Sequence, residues 1–163
     1  MLIQLKNKDT LIVDDFKLKC CIGKNGIKKF KTEGDNSTPK GIFSLGDFYY
    51  RKDRCIKPIT KLKTKIIKSN IAWCNDINSK FYNKEINIIK KIRYEKLFRK
   101  DHKYDYLIVI NYNTKNIVSN KGSAIFLHLT KNFKPTAGCI ALKKKDFLIL
   151  LKLIKKNTKI KIN

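Results

Sequence analysis

The sequence predicts a mainly β fold, sandwich-like, with one helix packed on it near the C-terminus. Three observations predict it. Short runs rich in Ile, Val, Leu, Phe and Tyr recur along the chain, divided by Asn, Asp, Gly and Pro. One segment near the end carries apolar residues at a clear helical spacing. The 163 residues suit a single core, and no Pro/Gly-rich seam divides them, so residues 1–163 read as one domain.

Taken in order, Leu2–Leu5 and Thr10–Val13 read as short strands. Phe16–Ile22 and Ile27–Phe30 flank Lys24-Asn25-Gly26, which predicts a hairpin because Asn and Gly tolerate positive φ. Glu33–Pro39 is a loop by composition, and Gly41–Leu45 a strand. Between residues 46 and 100 the pattern is weaker, with a short helix expected within Ile86–Leu97. Tyr106–Tyr112 (YLIVINY) and Ala124–Leu129 (AIFLHL) read as core strands, and the polar turn Thr130–Thr136 ends the second of them. Phe147, Leu150, Leu151 and Ile154 form a helix face, with Asp146 as its expected N-cap. Thr158–Ile162 alternates as a final strand.

Composition narrows the function. No apolar run approaches the ~20 residues of a membrane-spanning helix, and no signal-peptide core interrupts the charged start. The net charge is +25. Nucleic-acid binding is the first class such a charge suggests. Yet the basic residues are 34 lysines against 4 arginines, spread along the whole chain, beside 24 isoleucines and 15 asparagines. All three abundant residues have A/T-rich codons, and the fork of arginine that reads guanine and phosphate is scarce. Much of the charge therefore reads as drift on a solvated surface, and no nucleic-acid partner is expected. An anionic wall polymer stays compatible with it.

The five cysteines, at 20, 21, 55, 74 and 139, are odd in number and form no Cys-x-x-Cys pair. With two histidines, no metal site of ordinary spacing is expected. Unpaired thiols suit a reducing compartment.

His128 sits inside an apolar strand, and Cys139 comes 11 positions later in Thr136-Ala137-Gly138-Cys139-Ile140. Two extended segments joined through a Pro-bearing turn can set both side chains on neighbouring strands. A thiol needs an adjacent imidazole to act as a nucleophile near neutral pH, so a depressed Cys139 pKa is expected. Gly138 frees the backbone to aim N–H groups at a reacting carbonyl, and Thr136 offers a hydroxyl to orient the ring. The pattern points to acyl transfer. His102, in Asp101–Asp105, is the other titratable candidate, although a solvated loop histidine is the plainer reading.

These segments, in their order, resemble the L,D-transpeptidase catalytic domain, the YkuD-like family, and more specifically its compact single-domain branch. The stretches that carry the resemblance are EGDNSTPKGIF, YYRKDR, Trp73-Cys74-Asn75-Asp76, Tyr82-Asn83, RKDHKYDYLIVINYN, GSAIFLH and PTAGCIAL, covering about residues 20–162. The resemblance implies a β-sandwich with a C-terminal helix. It implies a Cys139 nucleophile, a His128 base and backbone donors at Gly138 and Cys139. The substrate implied is a peptidoglycan stem tetrapeptide, cleaved before its D-Ala with no metal or cofactor by a chain expected to be a monomer. Two family features are absent: the His before Gly-Cys is Ala137, and the Arg two residues past the Cys is Ala141. Arg51, Arg54 and Lys143 are candidate replacements for the carboxylate clamp, and Trp73, Arg51 and His102 candidates to line a substrate groove. The family's substrate lies in the cell envelope, whereas the start of this sequence carries no visible export signal. The rivals are an L,D-carboxypeptidase working through the same thioester and a non-catalytic basic module that binds nucleic acid or wall polymer.

Overall fold

The computed structural model describes residues 1–163. Its strands are β1 Leu2–Lys6, β2 Thr10–Val13, β3 Phe16–Cys21, β4 Ile27–Lys28, β5 Thr38–Pro39, β6 Gly41–Tyr50 and β7 Thr64–Ile66. They continue as β8 Ile71–Cys74, β9 Glu85–Asn87, β10 Tyr94–Lys96, β11 Tyr106–Ile110, β12 Phe126–Leu129 and β13 Ile140–Leu142, then helix α1 Lys144–Leu153 and strand β14 Lys159–Ile162. Eight of the strands close on themselves in the order β11-β12-β13-β3-β2-β1-β14-β6 and back to β11. The expected mainly β sandwich with a C-terminal helix is borne out, its strands closing into a barrel with the helix against the core. Closure comes from β6, which pairs with β14 through Gly41–Ser44 and with β11 through Leu45–Tyr50. β1 joins the two ends of the chain by running parallel to β14.

Alternation along the strands sorts two cores. Tyr106, Ile108 and Ile110 of β11 join the inner core, while Leu107 and Val109 face out into a second cluster. Ile125, Leu127 and Leu129 likewise point in, and Phe126 points out. Both faces of β11 are buried, which is why YLIVI reads as an unbroken apolar run. Phe147, Leu150 and Leu151 of α1 and Ile154 at its C-cap are fully buried in the inner core, each worth about 1.5–3 kcal/mol of transfer free energy. The outer cluster is covered by residues 67–104, whose small sheet β10-β8-β9 lays Trp73 edge-on against Phe126 at 5.3 Å. This layer over the outer faces of β11 and β12 roofs the cavity that holds Cys139 and His128.

Three local expectations change. Gly26 turns with φ +74°, but β4 pairs parallel to β5 instead of returning along β3. The edge of β3 is already taken by β2 and β13, so the predicted hairpin has no partner. The segment Ile86–Leu97 holds strands β9 and β10 around a turn, not a helix. Ile86 is the buried residue of β9, and Tyr94–Lys96 of β10 pairs on the other side of β8. Helix α1 begins at Lys144, so Asp146 lies in the first turn, where it complements the helix dipole, and is not the cap.

Candidate functional site

A cavity of about 550 Å³ lies between the barrel wall and the covering layer. Cys139, His128 and Thr136 line its floor. β12 and β13 run parallel with His128 opposite Ala141. Cys139, two positions before Ala141, therefore shares the outward face with His128 and Phe126. The 11-residue step of the sequence becomes a diagonal pair on adjacent strands.

The thiol is held by backbone. It donates to the Ala124 carbonyl at 3.2 Å and accepts the Phe126 N–H at 3.3 Å, with no hydrogen bond to the imidazole. The His128 ring is anchored from its other side: Nδ1 lies 2.8 Å from the Leu129 carbonyl oxygen. A carbonyl only accepts, so Nδ1 carries the proton and Nε2 keeps a basic lone pair. Tyr104 meets the ring edge-on at 5.1 Å.

Thr136 does not orient the imidazole. Its hydroxyl donates to the Cys139 carbonyl at 2.6 Å and accepts the Gly138 N–H at 3.1 Å, bracing the turn that carries the thiol. Gly138 is thereby committed, whereas the Cys139 N–H has no acceptor within the protein. Gly138 sits at φ +143°, and a Cβ there would meet the Ser37 carbonyl oxygen at 2.8 Å and Ile125 Cδ1 at 3.2 Å. That carbonyl is fixed in turn by the buried Lys31 ammonium, 2.5 Å away, which also pairs with Asp35. Burial opposes the Asp35 charge, but Lys31 and the Ser37 and Thr32 N–H groups outweigh it and hold its pKa below the usual value.

Burial sets the resting charge state. It pushes the Cys139 thiol up to about 12 and the His128 imidazole down to about 4. The depressed thiol expected from a Cys–His pair is therefore not found at rest, where both groups are neutral. This state has two measurable consequences. Between pH 6.5 and about 4 the unfolded chain binds a proton at His128 that the folded chain refuses. Stability present above pH 6.5 is thus lost as pH falls through that window, by up to about 3 kcal/mol. Denaturant midpoints measured across the window check this, and His128→Gln should flatten that limb. Second, Cys55 is the one thiol not buried. Iodoacetamide should label Cys55 first and Cys139 slowly, as peptide mapping of a time course will show.

The other side chains singled out in the sequence lie outside the cavity lining. Arg51 forks onto Asp53 at 2.8 and 2.6 Å, donates to the Arg99 carbonyl and stacks 3.5 Å from the centre of the Phe98 ring. Arg54 pairs with Asp105 and reaches the Asp101 carbonyl. Both arginines stitch the loop after β6 to the loop before β11. Trp73 donates to Asn83 at 2.9 Å beneath the covering sheet. His102 is largely exposed and contacts Asp105 at 2.8 Å. Lys143 flanks the start of α1 over Phe133.

The cavity instead gathers Glu33, Asn75, Arg93, Glu95 and Lys103. Glu33 and Asn75 fall within EGDNSTPKGIF and Trp73-Cys74-Asn75-Asp76, so they carried a signal. Arg93 and Glu95 were hidden in the segment expected to be helical. No cluster of three or more His, Cys, Asp or Glu side chains has metal-binding geometry. No helix is long and apolar enough to cross a membrane.

Among known families, the YkuD model, the L,D-transpeptidase catalytic domain, matches residues 2–162. The match reaches further towards the N-terminus than the motifs do and takes in β1 and β2, which complete the barrel. No curated protein matches the chain.

Proposed function

Because the chain belongs to the YkuD family of L,D-transpeptidase catalytic domains, we propose that it is a cysteine-dependent L,D-transpeptidase acting on peptidoglycan stem tetrapeptides. The observation that carries this is the placement of Cys139 and His128 on one face of adjacent strands, in one cavity. The neutral resting pair implies that the proton leaves the thiol as the bond to carbon forms, not before. Cys139 Sγ attacks the carbonyl at the L-centre preceding D-Ala while His128 Nε2 takes the thiol proton. The free Cys139 N–H is the donor suited to the oxyanion. The C–N bond then breaks, and His128 returns the proton to the departing D-Ala amine. A thioester is left on Cys139. An incoming amine attacks it, gives a proton to His128 and releases the cross-linked or exchanged product, and the thiol regains its proton.

Thr136, Gly138 and the Lys31–Ser37 contact serve by holding the nucleophile's turn in place. This substrate implies work at the cell envelope. Mass spectrometry of a disaccharide-tetrapeptide incubated with the protein tests the reading. Cross-linked dimers or D-amino-acid-exchanged stems support it. Tripeptide and free D-Ala alone make the protein a carboxypeptidase. Intact substrate with the fold preserved overturns both.

A further inference from the structure

The loop between β6 and β7 contributes no residue to the cavity. It carries Ile56 and Ile59, which are 88% and 87% exposed, the two most exposed large apolar side chains in the molecule. They stand three positions apart in Ile56-Lys57-Pro58-Ile59. A single exposed aliphatic side chain is ordinary, but two neighbours this far from the core form an apolar tip that the fold leaves uncovered.

The tip is held in place from both sides. Cys55 and Leu62 pack against the inner core, and Leu62 is buried. The Cys55 N–H donates to the Arg51 carbonyl at 2.8 Å, and the Tyr106 hydroxyl donates to the Ile56 carbonyl at 2.9 Å. At the other end the Lys63 carbonyl accepts the Phe48 N–H at 2.9 Å. The loop is thus fixed to the barrel at both ends, with residues 56–60 presented between them.

Charge around the tip has one sign. Lys52, Lys57, Lys61 and Lys63 are exposed. The one carboxylate of the loop, Asp53, is already forked by Arg51, and Asp105 behind it is taken by Arg54. Lys144, exposed at the start of α1, lies 5.6 Å from the centre of the Tyr106 ring and adds an ammonium beside the loop. Branched aliphatics among uncommitted lysines match an anionic bilayer. Aliphatic side chains enter the boundary between headgroups and acyl chains, and lysine stems follow them while the ammonium groups stay at the phosphates. A soluble polyanion satisfies the lysines alone and leaves the isoleucines in water. An isologous contact with a second copy sets the same lysines against each other.

We infer that the β6–β7 loop is a docking surface for a bilayer that contains anionic lipid, with Ile56 and Ile59 inserted and the surrounding lysines on the headgroups. The inference stands apart from the acyl-transfer reading, since it uses no cavity residue and its test needs no turnover.

Cosedimentation of the full chain with vesicles is that test. The vesicles are phosphatidylcholine alone or phosphatidylcholine mixed with phosphatidylglycerol. The protein should bind the mixed vesicles at least about tenfold more tightly. Ile56→Ser with Ile59→Ser changes no charge and should weaken that binding on the order of tenfold or more. Lys57→Glu with Lys61→Glu should weaken it by a similar factor. Lys17→Glu with Lys159→Glu reaches the same net charge on β3 and β14, which pair away from the loop's end of β6, and should weaken it far less. All six side chains are exposed, so thermal melts should not move. Binding that ignores the isoleucine pair marks a site for soluble polyanions and overturns the inference. An equal loss from either lysine pair assigns binding to the basic surface as a whole and also overturns it. So does a wild-type protein that stays in solution with the mixed vesicles, or that binds both kinds equally.

Discussion

Replacing Cys139 by alanine should abolish the proposed acyl transfer, a loss on the order of 10⁴-fold or more, because no other thiol lines the cavity. None of the other four cysteines lines the cavity; Cys21, opposite Ala141 on β3, contacts Thr130 and the Lys134 carbonyl. Stability should change little. Alanine forfeits two long sulfur contacts with backbone and about one heavy atom of packing. His128→Gln should lower turnover by about 10²–10⁴-fold while leaving the barrel intact, since glutamine can keep the contact to the Leu129 carbonyl but cannot serve as a base. Rates from product chromatography, with circular dichroism as the control, check both. A basic module that only binds polymer would show no response to either change.

Gly138→Ala is the second large effect, and its direction is set by backbone. The residue stands at φ +143°, where an L side chain is strained, and the new Cβ would press on the Ser37 carbonyl at 2.8 Å. That carbonyl cannot retreat, because the buried Lys31 ammonium holds it. The strained turn carries Cys139 and the Thr136 bracket, so activity and stability should fall together: stability by about 2–4 kcal/mol, and turnover by at least tenfold. Thermal melts and single-turnover rates measure the two. By contrast, Ala137→Gly, one position earlier on the exposed part of the turn, should leave both nearly unchanged.

Much of this arrangement was legible from the chain alone, for reasons that can be named. YLIVI and AIFLHL are long, apolar and β-branched, so their strand character and burial were fixed by composition. Phe147, Leu150, Leu151 and Ile154 keep helical spacing and become the buried face of α1. His128 and Cys139 stood out because a titratable side chain in an apolar strand and a thiol after glycine are both unusual, and the register sets them diagonally across β12 and β13. The hidden parts depended on pairing that no local pattern encodes. The Asn-Gly signal failed because β3 already had two neighbours. The Ile86–Leu97 segment has no clean period, since it only supplies two three-residue strands flanking β8. With that segment misread, Arg93 and Glu95 could not be placed in the roof. Arg51 and Arg54 were candidates for the carboxylate clamp that Ala141 leaves open, yet their neighbours Asp53 and Asp105 already claim them. The thiol's raised pKa comes from burial beneath the covering sheet, a long-range consequence of the fold.

The central claim is that Cys139 becomes acylated, and the intact-protein mass during turnover tests it most directly. Quenched in acid after brief mixing with a stem tetrapeptide, the wild-type protein should gain the mass of the tripeptide acyl group. Peptide mapping should locate that mass on Cys139, and neutral hydroxylamine should remove it as it does a thioester. Neither the Cys139→Ala nor the His128→Gln protein should accumulate it at the same time point. A wild-type protein that releases D-Ala with no acyl adduct, or that carries the adduct on a different residue, would contradict the account.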